Sequence, residues 1–302
     1  MQYGAHLPLI AFERAAWSLA DVCAYARHAA ALEYRFLCAN DHLFFGRPWL
    51  DGPIALAAAL EASGDMAIAT TVALPVIRGP VQTAKLLAAL DHLSGGRLVA
   101  GVGPGSSARD YDAVGVAFEG RWKRFDDAVR VMRSVLDDEV SPGRPPVWVA
   151  SWGSSAGLRR VARLGDGWLA SGYNTTPRAF GEGVAALPDG FPNAIATMWL
   201  YVTDEPRKAE RVLAGLLSPV LRRPVEALRD LALPIGSPEQ CAERISAYAE
   251  AGAERLFVWP LADELRQLEA FRERVVPLVS RPPAPGSPAP AGGPRRDRPS
   301  RR

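Results

Sequence analysis

Short apolar runs rich in β-branched residues alternate with longer amphipathic stretches along the first 280 residues of the chain. Such runs are typical of buried strands, and the stretches between them carry apolar residues at helical spacing. The eight predicted strands cover residues 2–8, 34–39, 66–74, 97–103, 145–151, 166–171, 193–203 and 255–260. Eight strand–helix units in a chain of this length predict an α/β fold, the (β/α)8 TIM barrel, because a doubly wound sheet fits six strands better.

Polar residues mark two of the predicted helix starts. Ser18 and Asp21 form a capping-box pattern that opens a helix to about Leu32, and Asp51 can cap a short helix that reaches Ala62. Further helices are predicted at 80–93, from Gly120 to near Val140, and at 154–165, 205–217, 220–231, 237–251 and 263–279. The helix after the sixth strand has the weakest pattern.

Composition changes the picture at the C-terminus. Residues 281–302 carry six arginines and one aspartate among prolines and glycines, which predicts a disordered tail after a single domain of residues 1–280. That domain holds 29 basic and 32 acidic residues. A mildly acidic body without a basic stripe argues against a nucleic-acid partner.

The sequence also bounds the cellular context. No apolar run is long enough to span a bilayer, and the N-terminus lacks the pattern of a signal peptide. Three scattered cysteines, Cys23, Cys38 and Cys241, favour neither a disulfide framework nor a zinc site. We therefore expect a cytoplasmic protein with no membrane partner and no metal.

The carboxyl ends of parallel strands meet at one face of a barrel, and the chemistry of such barrels is found there. After the second strand, Asn40, Asp41 and His42 precede a group of aromatic residues. This pattern suits a flat aromatic ligand with a reactive edge. Equally, Asp41 could accept hydrogen bonds from backbone N–H groups of the loop, with His42 packed against Asp41. The stretch ATTVALPVIRGP after the third strand is interpreted as plain strand and turn.

The fourth strand ends in a glycine-rich loop within HLSGGRLVAGVGPGSS, residues 92–107. Glycines at 101, 103 and 105 could let a ligand approach the backbone, or could simply allow a tight strand exit. The loop is not a dinucleotide fingerprint. Ser106 replaces the third glycine, Pro104 lacks an N–H, and the motif lies in the fourth unit rather than the first.

Small residues follow the fifth and sixth strands. Gly153, Ser154 and Ser155 open a helix and could present N–H groups to an anion, although Ser154 could be a plain N-cap. The neighbouring turn, residues 170–173, makes a phosphate site more credible. The sequence contains no G-x-S-x-G, no G-x-x-x-x-G-K-[ST] and no H-E-x-x-H.

Several segments together resemble the bacterial luciferase-like flavin-dependent oxidoreductases. They are DHLFF (41–45), LDHLSGGRLVAGVGPGS (90–106), GVAFEGRWKRFDDAVRVM (115–132), PPVWVASWGSSAGLRRVARLGDGWL (145–169) and GSPEQCAERISAYAEAGAERLFVWPL (236–261). The resemblance covers most of residues 1–280. It implies a barrel that holds FMN or the deazaflavin coenzyme F-420, with the ring among the ends of strands two, three and four.

The resemblance also implies roles for particular residues. His42 would donate or accept a proton at the reactive ring edge, with Asp41 orienting it. Thr71 and Val72 would be joined by a non-prolyl cis peptide bond against the ring. The remaining positions implied in cofactor binding are Gly103, Pro104, Gly105 and Ser106 at the ring, Gly153, Ser154 and Ser155 at the phosphate, and Ser171 and Gly172 nearby. The glycines would thus let the chain pass close to the cofactor.

The implied activity is hydride transfer between cofactor and a small organic substrate; FMN could also activate oxygen in a monooxygenase. The alanine- and arginine-rich composition, typical of high-GC bacteria where F-420 is common, favours F-420 over FMN. A non-catalytic flavin-binding barrel and a phosphate-binding isomerase without a redox cofactor are alternatives. Relatives often form dimers, so a homodimer is possible.

Substrate preference does not transfer from the family. The link before strand five is short, extra helical sequence precedes Gly236, and Trp49 lies further along the chain from His42 than the tryptophan of sugar-phosphate members.

Overall fold

The computed structural model describes residues 1–10, 12, 17–45, 47–139 and 143–279. Its strands are β1 Gln2–His6, β2 Phe36–Ala39, β3 Ala67–Thr70, β4 Leu98–Val102, β5 Val147–Ala150, β6 Gly167–Ser171, β7 Asn193–Val202, β8 Ile235–Gly236 and β9 Arg255–Pro260. The predicted tail and the end of the domain at residue 280 lie outside the described residues.

Eight of these strands close into a parallel barrel. Each of β1 to β6 pairs with the next, β6 pairs with β7, β7 with β9, and β9 with β1, while the two-residue β8 extends the outer end of β7. The predicted (β/α)8 fold is confirmed. Every predicted strand is present, and each is the same length as predicted or shorter.

Helices follow the strands around the barrel. They are α1 Leu19–Ala31, α2 Gly52–Ala59, α3 Pro75–Arg78, α4 Pro80–Ser94, α5 Ala108–Ala113, α6 Arg121–Glu139, α7 Ser155–Leu164, α8 Pro177–Ala185, α9 Pro206–Val212, α10 Ser218–Leu221, α11 Val225–Arg229, α12 Pro238–Glu250 and α13 Glu264–Ala270. Tighter or wider turns, Leu213–Leu217, Phe271–Val275 and Val276–Leu278, continue α9 and α13.

The predicted caps are confirmed. The Ser18 side chain accepts from the Asp21 amide and the Asp21 side chain accepts from the Ser18 amide, which completes the capping box of α1. Asp51 Oδ1 accepts from the Ile54 amide at 3.0 Å at the start of α2. Two helices were not predicted, α3 and α5, and both lie at the strand ends considered below.

Alternating side chains fill the barrel and define its mouth. The interior cluster contains Phe36, Cys38, Ala69, Trp148, Leu169, Ala194, Ala196 and Phe257. Because strand side chains alternate, the residues two positions further along face the same axis one layer higher. That mouth layer holds His6, Asn40, Thr71, Ser171 and Trp259. By the same rule the layer also contains Gly103 and Ala150, so polar side chains, small residues and Trp259 together lie on top of an apolar barrel interior.

Within the described residues, no helix is long and apolar enough to cross a membrane. Among those same residues, no group of three or more metal-ligating side chains is placed to hold an ion. Cys23, Cys38 and Cys241 are free.

Candidate functional site

His42, just after β2, is held by a buried acid from a different strand end. Its Nδ1 lies 2.9 Å from Oδ2 of Asp110 in α5, a residue only 1% exposed. Oδ1 of Asp110 accepts from the Phe44 amide at 3.0 Å. Burial alone would raise the pKa of Asp110, but the hydrogen bond and charge of His42 and the amides of Phe44 and Leu43 hold it below its usual value. Asp110 is therefore a carboxylate at neutral pH and fixes the orientation of the His42 ring.

Asp41 does not orient His42, which corrects the expectation from the sequence. Both oxygens of Asp41 are bound by Arg78 of α3, with Nε to Oδ2 and Nη2 to Oδ1 each at 2.6 Å. Arg78 Nη2 also binds Asp51 at the start of α2. The bonds to Asp41, followed by those to Asp51, raise the pKa of Arg78 above its usual value. Asp41 thus ties the end of β2 to α2 and α3.

Asp110 and Arg78 are the residues that sequence reasoning missed. Ser107 caps α5 by accepting from the Asp110 amide at 3.2 Å, so the S-x-x-D spacing was the available signal. In a capping box the acid turns back to its own helix start, whereas here it turns to His42. Arg78 was hidden because Pro75, interpreted as part of a turn, is the first residue of α3.

Aromatic side chains continue from His42 across the mouth. The ring of Trp49 stands edge-on to His42 with centroids 4.9 Å apart, and Phe45 lies 5.4 Å from it. The longer spacing in sequence therefore does not carry Trp49 away from His42. Trp49 in turn stands edge-on to Trp259 at 5.5 Å.

A second histidine faces the mouth from β1. The His6 ring stacks on Trp259 at 3.6 Å and 8°, and the indole of Trp259 stacks on Trp199 at 4.3 Å. We call His6, Trp259 and Trp199 the aromatic stack. It lies where β1, β9 and β7 meet, next to the His42 side of the mouth.

The predicted non-prolyl cis peptide bond joins Thr71 to Val72 at the end of β3. Thr71 Oγ1 donates to Asn40 Oδ1 at 3.2 Å. The segment after β3 is thereby fixed beside the segment that leads to His42.

The glycines after β4 have a structural explanation of their own. A Cβ at Gly101 would lie 2.0 Å from the Thr70 carbonyl oxygen, and one at Gly103 would lie 2.7 Å from Val72 Cγ2. Gly105 has a φ of +78°, a backbone conformation that favours glycine. A tight strand exit thus accounts for these glycines by itself, and their approach to a cofactor stays a prediction.

The same loop is anchored to α5. The hydroxyl of Tyr111, a fully buried residue, donates to the carbonyl of Pro104 at 2.5 Å. Ser106 is exposed at the rim. The loop therefore positions α5 so that Asp110 contacts His42.

The start of α7 after β5 offers backbone donors. Ser154 is the N-cap and its Oγ accepts from the Gly157 amide at 3.2 Å. The amides of Ser155 and Ala156, in the first turn, have no acceptor within the helix. Gly153 has a φ of +95°. A helix start of this kind suits an anion such as a phosphate.

The turn after β6 lies beside the start of α7 and is hydrogen-bonded by a residue from outside the barrel. Asn174 donates to Ser171 Oγ at 3.1 Å. Arg223, between α10 and α11, donates to the Tyr173 carbonyl at 2.6 Å and to Asn174 Oδ1. Gly172 is required by packing, since a Cβ there would lie 2.1 Å from Met198 Sδ. The extra helical sequence before Gly236 therefore reaches back to this turn with an arginine that the sequence did not single out.

The two small-residue segments adjoin directly. A Cβ at Gly153 would lie 3.7 Å from Thr175 Cγ2, and the buried Oγ1 of Thr175 has no hydrogen-bond partner among the described residues. The structure thus brings the predicted residues to one face, with Asp110 and Arg223 as additions. Two clefts of about 580 and 240 Å³ lie along α7 and between the first turns of α1 and α13.

Comparisons with known proteins agree with the fold. The family model described as luciferase-like monooxygenase matches residues 9–194. A monooxygenase structure from Streptomyces bottropensis superposes with a TM-score of 0.78 at 18% identity, over 92% of this chain and 99% of that one.

Curated relatives differ in the cofactor that their names print. An uncharacterised protein of Mycobacterium tuberculosis is 30% identical over 68% of this chain and 76% of its own length. An F420-dependent glucose-6-phosphate dehydrogenase of Rhodococcus erythropolis is 26% identical (80% and 88% covered). An FMNH2-dependent dimethylsulfone monooxygenase of Pseudomonas fluorescens is 22% identical (83% and 84% covered).

Proposed function

Because the chain belongs to the luciferase-like monooxygenase family, we propose that it transfers hydride between coenzyme F-420 and a small organic substrate, with His42 as the proton donor or acceptor. The observation that carries the proposal is the 2.9 Å contact between His42 Nδ1 and the buried Asp110 carboxylate. A buried acid that fixes a histidine at a strand end of a TM barrel is the arrangement expected of a general acid–base residue.

The residues present fit a phosphorylated planar cofactor. The first-turn amides of α7 would hold the phosphate, with Ser171 and Gly172 beside them, and the buried unpaired hydroxyl of Thr175 lies next to Gly153. The Thr71–Val72 segment and the loop of residues 103–106 would support the ring. When bound, F-420 accepts or donates hydride, whereas reduced FMN can also react with oxygen.

Asp110 decides what His42 can do. An ionised carboxylate can only accept, so Nδ1 of His42 carries the proton of their hydrogen bond. Nε2 is then free to accept a proton in the neutral ring and to donate one in the charged ring. The carboxylate stabilises the charged ring after it has accepted a proton, so His42 can act in either direction of the reaction.

FMN is the second candidate cofactor, and oxygenation would be the corresponding activity. The FMNH2-dependent relative favours it. The residues of the site do not discriminate, because both cofactors carry a three-ring system and a phosphate. The alternatives without redox chemistry are less well supported, since the relatives whose names state an activity are oxidoreductases.

The cofactor proposal is tested by titrating the purified protein with F-420 and with FMN while absorbance and fluorescence are followed. We expect saturable binding of F-420, tighter than that of FMN. Binding of neither would overturn the assignment, and tighter FMN binding would move the activity to oxygenation.

The role of His42 is tested with His42→Ala, using reduction of F-420 by a panel of alcohols and oxidation of reduced FMN in air. We expect cofactor affinity to be retained and turnover to fall about 10²- to 10⁴-fold, the usual contribution of a general acid–base residue. His92→Ala, on the outer surface of α4, is the matched control. Equal turnover in both variants would remove His42 from the mechanism.

A further inference from the structure

The larger cleft, of about 580 Å³, runs along one face of α7. It begins at Ala156 in the first turn of the helix and continues to Arg163 near the last turn, about 10 Å away at the rise of an α-helix. We call it the arginine cleft, because Arg159, Arg160 and Arg163 line it and only Ala156 and Ala162 lie between them. The cleft thus combines three cations with two side chains too small to fill the space.

Two of the three arginines are held in place from α6. Asp126, whose side chain is 14% exposed, binds Arg160 through Oδ1 and Arg163 through Oδ2. The Arg160 guanidinium also lies over the ring of Trp122, 4.8 Å from its centroid. Burial alone would raise the pKa of Asp126, but the hydrogen bonds from Arg160 and Arg163 hold it below its usual value. Asp126 therefore orients two guanidinium groups and neutralises one positive charge.

The third arginine has no such partner. Arg159 is exposed and takes part in no ion pair, hydrogen bond or ring contact among the described residues. The next acid of α6, Asp127, is paired with Lys123 and Arg130 instead. The cleft therefore keeps an excess of two positive charges on a domain that carries 29 basic and 32 acidic residues. Oriented guanidinium groups with excess charge suit a ligand that carries more than one carboxylate.

The arginine cleft begins where the cofactor phosphate is expected. The amide of Ala156 is one of the first-turn donors of α7, and the same residue lines the near end of the cleft. In FMN the phosphate is the end of the molecule. In F-420 the phosphate is a diester that continues through a lactate into a chain of γ-linked glutamates, each of which keeps a free carboxylate. What lies beyond the phosphate therefore separates the two cofactors, although their rings and phosphates do not.

The length of the cleft also suits such a chain. An extended α-linked residue advances roughly 3.5 Å, and a γ-linked glutamate is longer because two side-chain carbons join its main chain. About two γ-linked glutamates therefore span the distance from Ala156 to Arg163. Their carboxylates would lie along the face of α7 that carries the arginines.

We propose that the arginine cleft binds the glutamate chain of F-420 and thereby selects F-420 over FMN. Arg159 supplies the unpaired charge, and Arg160 and Arg163 supply further donors that Asp126 has already oriented. This rests on the proposed function, because the chain reaches the cleft only when the phosphate occupies the start of α7. The cleft acts on cofactor affinity and takes no part in hydride transfer.

The test is a fluorescence titration with three ligands: F-420 that carries two or more glutamates, the same deazaflavin ending at its lactate, and FMN. The proteins are the wild type, Arg159→Gln, Arg159→Lys and the control Arg27→Gln. Arg27 is an exposed arginine of α1, which follows β1, four strands from β5 in a barrel of eight. Since Arg159 and Arg27 are both exposed, neither variant removes a buried contact.

We expect the wild type to bind the glutamylated form roughly three- to tenfold more tightly than the form without glutamates, and this difference to shrink at high salt. Arg159→Gln should remove most of the difference, Arg159→Lys should keep part of it, and Arg27→Gln should behave as the wild type does. Affinities for FMN and for the form without glutamates should be the same in all four proteins.

Equal affinity of the wild type for the two deazaflavins would overturn this inference and leave the proposed function standing. An equal loss of FMN and of glutamylated F-420 in Arg159→Gln would also overturn it, because Arg159 would then act on the phosphate. Failure of all three ligands to bind overturns the proposed function and this inference with it.

A second measurement locates the chain directly. Phenylglyoxal modifies exposed guanidinium groups, and mass spectrometry of the resulting peptides reports each arginine separately. Saturating glutamylated F-420 should slow the modification of Arg159 relative to Arg27, whereas FMN and the deazaflavin without glutamates should not. Equal modification of Arg159 with all three ligands would contradict the proposal.

Discussion

The two histidines of the barrel mouth lie at the ends of neighbouring strands, β1 and β2, and their surroundings differ in kind. His42 is hydrogen-bonded to a buried carboxylate whose own pKa is lowered. His6 is enclosed by tryptophan and by backbone carbonyl, and burial keeps it neutral. The His42 side of the mouth therefore contains a buried charged group, whereas the His6 side contains only neutral side chains. The same residue type is placed in two kinds of surroundings because contacts between distant segments, not its sequence position, decide its partners.

The largest effect is expected from breaking the ionic side of the mouth. Arg78→Leu leaves the buried carboxylate of Asp41 unpaired, which should lower the free energy of unfolding by about 3–5 kcal/mol in chemical denaturation. Arg178→Leu removes an exposed arginine paired with Glu182 and should leave the free energy of unfolding nearly unchanged. Equal losses in the two variants would show that the Asp41–Arg78 link does not stabilise the fold.

Because of His6, on the neutral side of the mouth, we expect the stability of the protein to depend on pH in the acidic range. The pKa of His6, about 4 when folded, lies below the value of about 6.5 in an unfolded chain. The unfolded state then binds more protons between these values, so stability is full above about pH 6.5 and is lost as the pH falls towards 4. This difference corresponds to roughly 3 kcal/mol.

His6→Phe should remove that loss, so the gap between its unfolding free energies at pH 7 and pH 4 should be smaller than in the wild type. His92→Phe should behave as the wild type does. A wild-type slope retained in His6→Phe would assign the acid sensitivity to other groups.

Asp110→Asn tests how the two sides differ in catalysis. The amide keeps the size of the side chain but loses the charge, so turnover should fall by roughly tenfold to a hundredfold and its pH profile should shift. The lowered pKa of Asp110 also contributes stability above about pH 4 that is lost as the pH falls further. Asp110→Asn should lack this last acid-induced loss, and an unaltered pH profile of turnover would contradict the positioning role.

The smallest effect is expected at the edge of the predicted phosphate site. Arg223→Gln can still donate a hydrogen bond to the Tyr173 carbonyl but removes the positive charge, so F-420 affinity should weaken about three- to tenfold, and less at high salt. Arg222→Gln, the exposed neighbour, is the control. Titration by fluorescence at two salt concentrations measures both, and a larger loss at Arg222 would place the anion elsewhere.

How much the sequence could tell depends on whether the signal is local. The strands were predictable because β-branched runs such as AIAT at 67–70 indicate buried strands without reference to the rest of the chain. The Ser18 capping box was predictable for the same reason. The cis bond at Thr71 came from the resemblance rather than from physical reasoning.

The parts that were missed depend on contacts between distant segments. Asp110 lies far from His42 in sequence, and its spacing to Ser107 indicated a helix cap instead. His6 and Trp259 come from the two ends of the barrel sequence, so no window contains both. The glycines at 101 and 103 were predictable as special positions, but their reason, contact with the neighbouring strand, required the fold. A homodimer and a cytoplasmic location stay predictions.

The pairing of β1 with β9 has a consequence for biosynthesis. The first strand leaves the ribosome early, but the edge it offers to β9 stays unpaired until the last strand has been translated. The barrel cannot close, and the ring of Trp259 cannot reach His6, before nearly the whole domain has emerged. Truncated or stalled products would therefore expose both an open sheet edge and an apolar interior, which makes them substrates for chaperones and proteases rather than partly active enzymes.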